Sequence, residues 1–409
     1  MRPGIAGKKI FLTGAAGFIG CRLAECLTGA YGVEVHALVR RVGTVGAARL
    51  ARLGGVRIFP GDVREADRVR EAARGCAYVI HCVTGSPGGY RAQRAEELRG
   101  TANVLEAALR EGAERIVYFS SAAVHDPARS GPEIREESPL NGRVLGWRKI
   151  LGEAMVTDYR RREGAPAVIL RPTCVWGPFS PTWTVSAAEL IARGVPVLPA
   201  PGTGRANLVY VDNLVDAVYL ALMRPDAVGG AFLVNDDEPG TWAELYGGYA
   251  RCLGVPLGFV EDVAGVREVV SVSLHNAGLI LKHALSGRTA RGIGMLRQVY
   301  DHVPLARLAV SRLPDLVQRR LRAYAARREA PPLARLSSSP TGAGFRPYTV
   351  LPRPMRELYG AAGRYSNEKA KKVLGWQPRI SFHAALDATC QWLRYTGIRP
   401  EPDGCVSSS

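Results

Sequence analysis

No two cysteines of this sequence form a CxxC pair, and none stands at metal-ligand spacing from the seven histidines. No run reaches the roughly 18 uninterrupted apolar residues of a membrane span. These absences exclude a disulfide-stapled scaffold, a zinc-built module (no metal site is expected) and a bundle of spanning helices. The eight cysteines (Cys21, Cys26, Cys76, Cys82, Cys174, Cys252, Cys390, Cys405) are scattered through 409 residues, so a reducing cytoplasm is the expected setting. Met1 to Lys9 lacks the apolar stretch and cleavage site of a secretory signal. Internal repeats are absent and acids are few: 37 Asp and Glu face 54 Lys and Arg, a surplus of 17. So positive a field attracts phosphates, nucleic acid or an anionic membrane surface without choosing among them. Apolar material is ample, at 47% of residues, for a core of ordinary globular size.

Short β-branched runs recur at residues 9–12, 33–39, 56–59, 78–81, 116–119 and 167–170, separated by Ala-, Leu- and Arg-rich segments of helical period. Strands apolar on both faces and spaced by helices predict an α/β fold, a doubly wound parallel sheet covered by helices on both sides. Residues 230–234 are a candidate further strand.

The first strand runs into Thr13-Gly14-Ala15-Ala16-Gly17-Phe18-Ile19-Gly20, and a helical pattern follows. Gly14 permits a tight turn, Gly17 lets backbone approach a pyrophosphate, and Gly20 lets the helix pack on the strand. The helix N-terminus then offers unpaired N–H groups and its dipole to the phosphates. At the end of the second strand, where an acid would bind the adenosine ribose hydroxyls, the sequence has Arg40-Arg41. An arginine there clamps a 2′-phosphate, so NADP(H) is favoured over NAD(H). Asp62, after the third strand, is placed to hold an adenine amino group or to cap a helix.

The sequence resembles the extended short-chain dehydrogenase/reductase family, the NAD(P)-dependent epimerase/dehydratase group. The resemblance rests on TGAAGFIG (13–20), GDV (61–63), VIHCVTG (79–85), TANVLEAA (101–108), VYFSSAAVHD (117–126), LRPTCVWGP (170–178), LVYVDNLVDAV (208–218) and KVLGWQP (372–378). It implies a Rossmann domain made mainly of residues 1–258, with 176–207 contributing to a smaller substrate-binding domain. That second domain is expected from 259–409, including a basic helical insertion at 260–330 and a Pro/Ser-rich loop at 330–354. Phe18, Ile19, Val63, Cys82, Val83, Asn103, Pro172, Thr173 and Val175 are the further cofactor-lining positions the resemblance implies. A homodimer and a small-molecule substrate are also expected.

Chemistry in this family uses a serine on the substrate oxygen, a tyrosine that moves its proton and a lysine four residues on. Ser121 and Lys149 match the serine and lysine, but the tyrosine position is Leu145. Leucine transfers no proton. Three readings stay open: a redox enzyme in which His125, Ser121 or water is the acid/base; a lyase or isomerase in a repurposed cleft; and a catalytically silent dinucleotide binder. Cys174 stands where the family often has a substrate-orienting Asn, and Arg205 resembles the arginine that holds a nucleotide-sugar diphosphate. The substrate class implied is a nucleotide sugar or similar hydroxylated molecule, for an epimerase, dehydratase or ketone/alcohol oxidoreductase.

Between residues 282 and 328, eleven Lys or Arg face two Asp, so about half of the net positive charge sits in one insertion. Apolar residues interleave at roughly helical spacing, broken at Pro304 and Pro314. Such a segment either roofs the cleft with a solvated basic face or lies peripherally on an anionic membrane. Nucleic acid is the less attractive partner, since there is no aromatic platform and no reader motif.

Overall fold

The computed structural model describes residues 4–83, 90–127, 130–142, 145–238, 240–260 and 353–398. The basic insertion and the Pro/Ser-rich loop, and with them the membrane reading, lie outside the described residues. Seven strands form one sheet: β1 (Lys9–Thr13), β2 (Glu34–Val39), β3 (Val56–Pro60), β4 (Tyr78–His81), β5 (Arg115–Phe119), β6 (Ala167–Pro172) and β7 (Ala231–Val234). Their order is β7-β6-β5-β4-β1-β2-β3 and every pairing is parallel. The candidate strand at 230–234 thus takes one edge. Side chains alternate between two cores: Ile10, Leu12, Val117 and Phe119 enter one, while Phe11, Ile116 and Tyr118 enter the other.

Among the described residues the α-helices are α1 (Phe18–Tyr31), α2 (Val45–Leu50), α3 (Ala66–Ala73), α4 (Tyr90–Arg110), α5 (Leu145–Glu163), α6 (Ala187–Ala192), α7 (Val211–Met223), α8 (Trp242–Leu253), α9 (Arg353–Tyr359) and α10 (Phe382–Tyr395). Helices α1 and α7 cover one face of the sheet, and α3, α4 and α5 the other. This is a doubly wound Rossmann-type fold. Local chemistry sets the helix ends. Gly32 closes α1 in the left-handed conformation (φ 62°), and Thr241 with Glu244 makes a reciprocal capping box on α8.

A third core, rich in aromatic rings, joins Trp176, α6, α8, Tyr359 and α10. Residues 242–253, inside the sequence span 1–258, belong to this second lobe, because Trp242, Leu245, Tyr246 and Tyr249 turn one helical face towards α6 and α10. The chain then returns to the sheet. Trp376 Nε1 donates to Asn213 O (2.9 Å), and Asn213 Oδ1 accepts from the backbone of Arg379 and Ile380 (both 3.0 Å). The 208–218 and 372–378 motifs are therefore one docking unit.

Candidate active site

Strand order reverses between β1 and β4, so the crevice for a ligand opens at the carboxyl ends of these strands. Thr13, which ends β1, accepts the Cys82 N–H on its hydroxyl (3.3 Å) and meets His81 Nδ1 at 2.7 Å. Gly14 follows at φ 69°, and a Cβ there would stand 2.3 Å from Cys82 O. A Cβ on Gly20 would come within 2.2 Å of Gly14 O. Gly17 is exposed, begins α1, and no side chain caps the helix. The first turn of α1, with half-buried Phe18 and Ile19, keeps its amides for an anion.

At the adenosine end, Arg40 and Arg41 are exposed just past β2. Asp62 is buried. Its carboxylate takes the Arg64 guanidinium on both oxygens (2.9 Å each), and Arg40 Nη1 lies 3.8 Å away. The Arg64 bonds hold its carboxyl below the usual carboxylate range. Asp62 is thus an arginine ligand as the protein stands, and an adenine contact would have to share it. Asn103 donates to Val63 O (2.8 Å) and so braces the loop after β3.

Ser121 follows β5 and caps a short turn over Ala122–Val124 by accepting the Ala123 N–H (3.2 Å). The start of α5 presses on this turn: a Cβ on Gly142 or Gly146 would fall 2.0 or 1.9 Å from Ala123 O. Leu145 opens α5 beside that contact, and one turn on Lys149 is buried. Lys149 Nζ donates to Val83 O and to Glu97 Oε1, both 3.0 Å, and lies 5.1 Å from the Tyr118 ring. The Tyr118 hydroxyl donates to the same Glu97 oxygen (2.6 Å). Burial pushes the Glu97 carboxyl up, but the Lys149 charge and these bonds outweigh it, and it lies below its usual range. Glu97 is absent from the sequence-level site. The available signal is its helical register with Thr101, Val104 and Ala108, all buried.

His81 sits between Thr13 and Thr101 (Nε2 to Oγ1, 3.2 Å), and burial lowers its pKa to about 4. The unfolded chain, titrating near 6.5, therefore gains protons first as pH falls, and stability present above that value is lost towards pH 4. Between pH 7 and 5 this group alone removes about 2 kcal/mol. Urea titrations of wild type and His81→Asn at both pH values check this; an undiminished loss in the variant rejects it.

His125, an acid/base candidate in the sequence, lies in the structure with both ring nitrogens against protein groups. It is 1% exposed, its Nδ1 faces Pro139 O (3.1 Å) and its Nε2 faces Arg171 Nη1 (3.3 Å). Burial lowers its pKa, so it stays neutral. Arg171, at the end of β6, clamps Glu153 with two bonds of 2.9 and 2.7 Å. Pro172 ends the strand, Thr173 Oγ1 donates to Asn235 Oδ1 (3.0 Å), and Val175 belongs to the sheet core. Burial pushes the Cys82 and Cys174 thiols up to about 12, so neither is a thiolate nucleophile. Arg205 lines a 360 Å³ cavity in the second lobe with Pro199, Thr203 and Tyr359, and Ser121 and Lys149 do not line that cavity.

The model of the NAD dependent epimerase/dehydratase family matches residues 10–234. The chain belongs to this family. A 2-alkyl-3-oxoalkanoate reductase from Shewanella oneidensis is 27% identical over 262 residues, which cover 60% of this chain and 66% of that enzyme, a little under two thirds of its length. A UDP-glucose 4-epimerase from Vibrio cholerae is 25% identical over 61% of this chain and 77% of its own. An epimerase structure from Methanothermobacter thermautotrophicus aligns at TM-score 0.66 over 95% of this chain and 93% of its own. At 17% identity, that is a likeness of fold. Family and relatives together are NAD-dependent epimerases, dehydratases and reductases, which makes the crevice beside Gly14, Ser121 and Lys149 the candidate enzymatic site.

Proposed function

We propose that this chain binds NADP(H) and interconverts a ketone and an alcohol on a hydroxylated small molecule. The observation that carries the reading is the charge at the end of β2. Arg40 Nη1 lies 3.8 Å from the Asp62 carboxylate, exposed Arg64 binds it, and Arg41 is exposed next to Arg40 in the chain, so guanidinium groups gather where a 2′-phosphate would sit. The relative named as a reductase points to the same reaction class.

The glycine turn fits a dinucleotide, since Gly14 and Gly20 have no room for side chains and the α1 N-terminus has no cap. Bound there, the cofactor supplies or accepts a hydride. The chain's own groups do the rest. The Ser121 oxygen accepts one N–H and keeps its proton to donate to a substrate oxygen, and the Lys149 ammonium favours negative charge growing on that oxygen. With Leu145 lacking a proton and both His125 nitrogens engaged, the proton for the carbonyl oxygen passes through the Ser121 hydroxyl and is replaced from water.

NADPH is expected to bind more tightly than NADH by about tenfold to a hundredfold, the worth of a charge-assisted contact. Arg40→Ala should remove most of that difference in a fluorescence titration. Equal affinities in the wild type reject the NADP assignment. Leu145 favours a second reading, a silent dinucleotide-binding protein, which stands if bound NADPH is never consumed across a panel of ketones.

A further inference from the structure

The chain has seven lysines among its 54 basic residues, and among the described residues Lys149 alone is buried. An arginine-rich protein that buries one lysine in its crevice, beside one acid, has placed a compact point charge there. We propose that Glu97 is a positioning residue of this crevice, whose carboxylate keeps the Lys149 ammonium charged and fixed at Val83, with its third N–H left for the cofactor ribose and the substrate oxygen. The proposal rests on the dinucleotide reading above.

Three observations carry it. Val83 O, which anchors the ammonium, lies one residue beyond Cys82, whose carbonyl is the atom Gly14 crowds. The ammonium is therefore tied down next to the glycine turn. Second, Glu97 Oε1 accepts from Lys149 and Tyr118 together, and Gly152 leaves the space this needs: a Cβ there would lie 1.9 Å from the Tyr118 hydroxyl and 3.1 Å from Glu97 Oε1. Both ions are 4% exposed at their side chains. Third, among the described residues nothing else supplies the counter-charge. Around Lys149, His81 on β4 is neutral, Cys82 is a thiol, Tyr118 on β5 is an unionised phenol, and on α5 Arg148 is a cation and Glu153 is taken up by Arg171. Burying two ions is a poor route to stability, which is why the pair is read as serving the crevice.

In Glu97→Gln the two hydrogen-bond donors keep an acceptor but the charge is gone, and a buried ammonium without a counter-charge gives up its proton more easily. NADPH affinity, measured by fluorescence on the full chain, should stay level in the wild type. In Glu97→Gln it should weaken by about tenfold between about pH 7 and 9. Adding Lys149→Arg, a cation that does not titrate in this range, should level the profile again. A purely structural glutamate would lower the melting temperature without tilting the profile. If Glu97→Gln does not fold, Glu97→Asp, with its carboxylate withdrawn by one methylene, should show the same tilt in smaller degree. Profiles of both variants that coincide with the wild type overturn the proposal. If the wild type binds no dinucleotide, the functional reading fails instead. The pairing is then judged by NMR of ¹³C-labelled lysine, assigned with Lys149→Arg. A Lys149 signal that titrates alike in wild type and Glu97→Gln overturns it, and one that titrates earlier in the variant supports it.

Discussion

Arg171→Met should cost the protein about 3 to 5 kcal/mol, and Arg171→Met combined with Glu153→Gln should cost clearly less than the two single changes added together. The guanidinium and carboxylate lie together inside the protein, at 6% and 5% side-chain exposure, joined by bonds of 2.9 and 2.7 Å. Removing the cation leaves a buried carboxylate that, among the described residues, keeps the Ser120 hydroxyl as its hydrogen-bond donor. It also strips donors from the Glu136 carbonyl and from His125 Nε2. Neutralising Glu153 as well removes the stranded charge while a Gln still accepts from Ser120. Urea unfolding of the four proteins measures the cycle. A single-variant cost below about 1 kcal/mol, or strict additivity, would show that this pair is solvated after all. The same loss should loosen the turn that carries Ser121, because His125 is the residue that closes it.

The parts of this molecule that were legible in the sequence are those whose cause is local. Strand positions follow from apolar runs of strand length, and the turn at 13–20 follows from glycine spacing that only one backbone geometry satisfies. The parts that were not legible depend on partners far apart in the chain. His125 looked available as an acid because Arg171, 46 residues later, and Pro139 are invisible to spacing arguments. Asn103 stands among the cofactor-lining positions in the sequence, while its bond to Val63 O, 40 residues earlier, is visible only in the fold. Glu97 is the instructive omission. Its helix carries many charges, and only its register with a buried stripe marks it, since an acid buried there demands a buried cation.

Gly14→Ala should abolish measurable dinucleotide binding and destabilise the fold by about 2 to 3 kcal/mol. At φ 69° any side chain is strained, and here the added methyl would also meet Cys82 O at 2.3 Å. That contact is with backbone, so it cannot be relieved by a rotamer; either β4 withdraws from β1 or the turn opens. Each outcome moves Val83 and hence the Lys149 anchor, so the damage reaches both ends of the crevice. Gly17→Ala is the discriminating companion. Its φ of −77° suits any residue, and an added methyl would meet nothing closer than Gly14 O at 3.1 Å. Stability should therefore change little while the methyl occupies the path of the pyrophosphate and binding is lost. Urea unfolding paired with NADPH titration separates the two effects. Wild-type affinity in Gly14→Ala would mean that the turn is a packing device, and wild-type affinity in Gly17→Ala would mean that the phosphates approach elsewhere. Loss in both, with destabilisation in Gly14→Ala alone, assigns the first glycine to the fold and the second to the ligand.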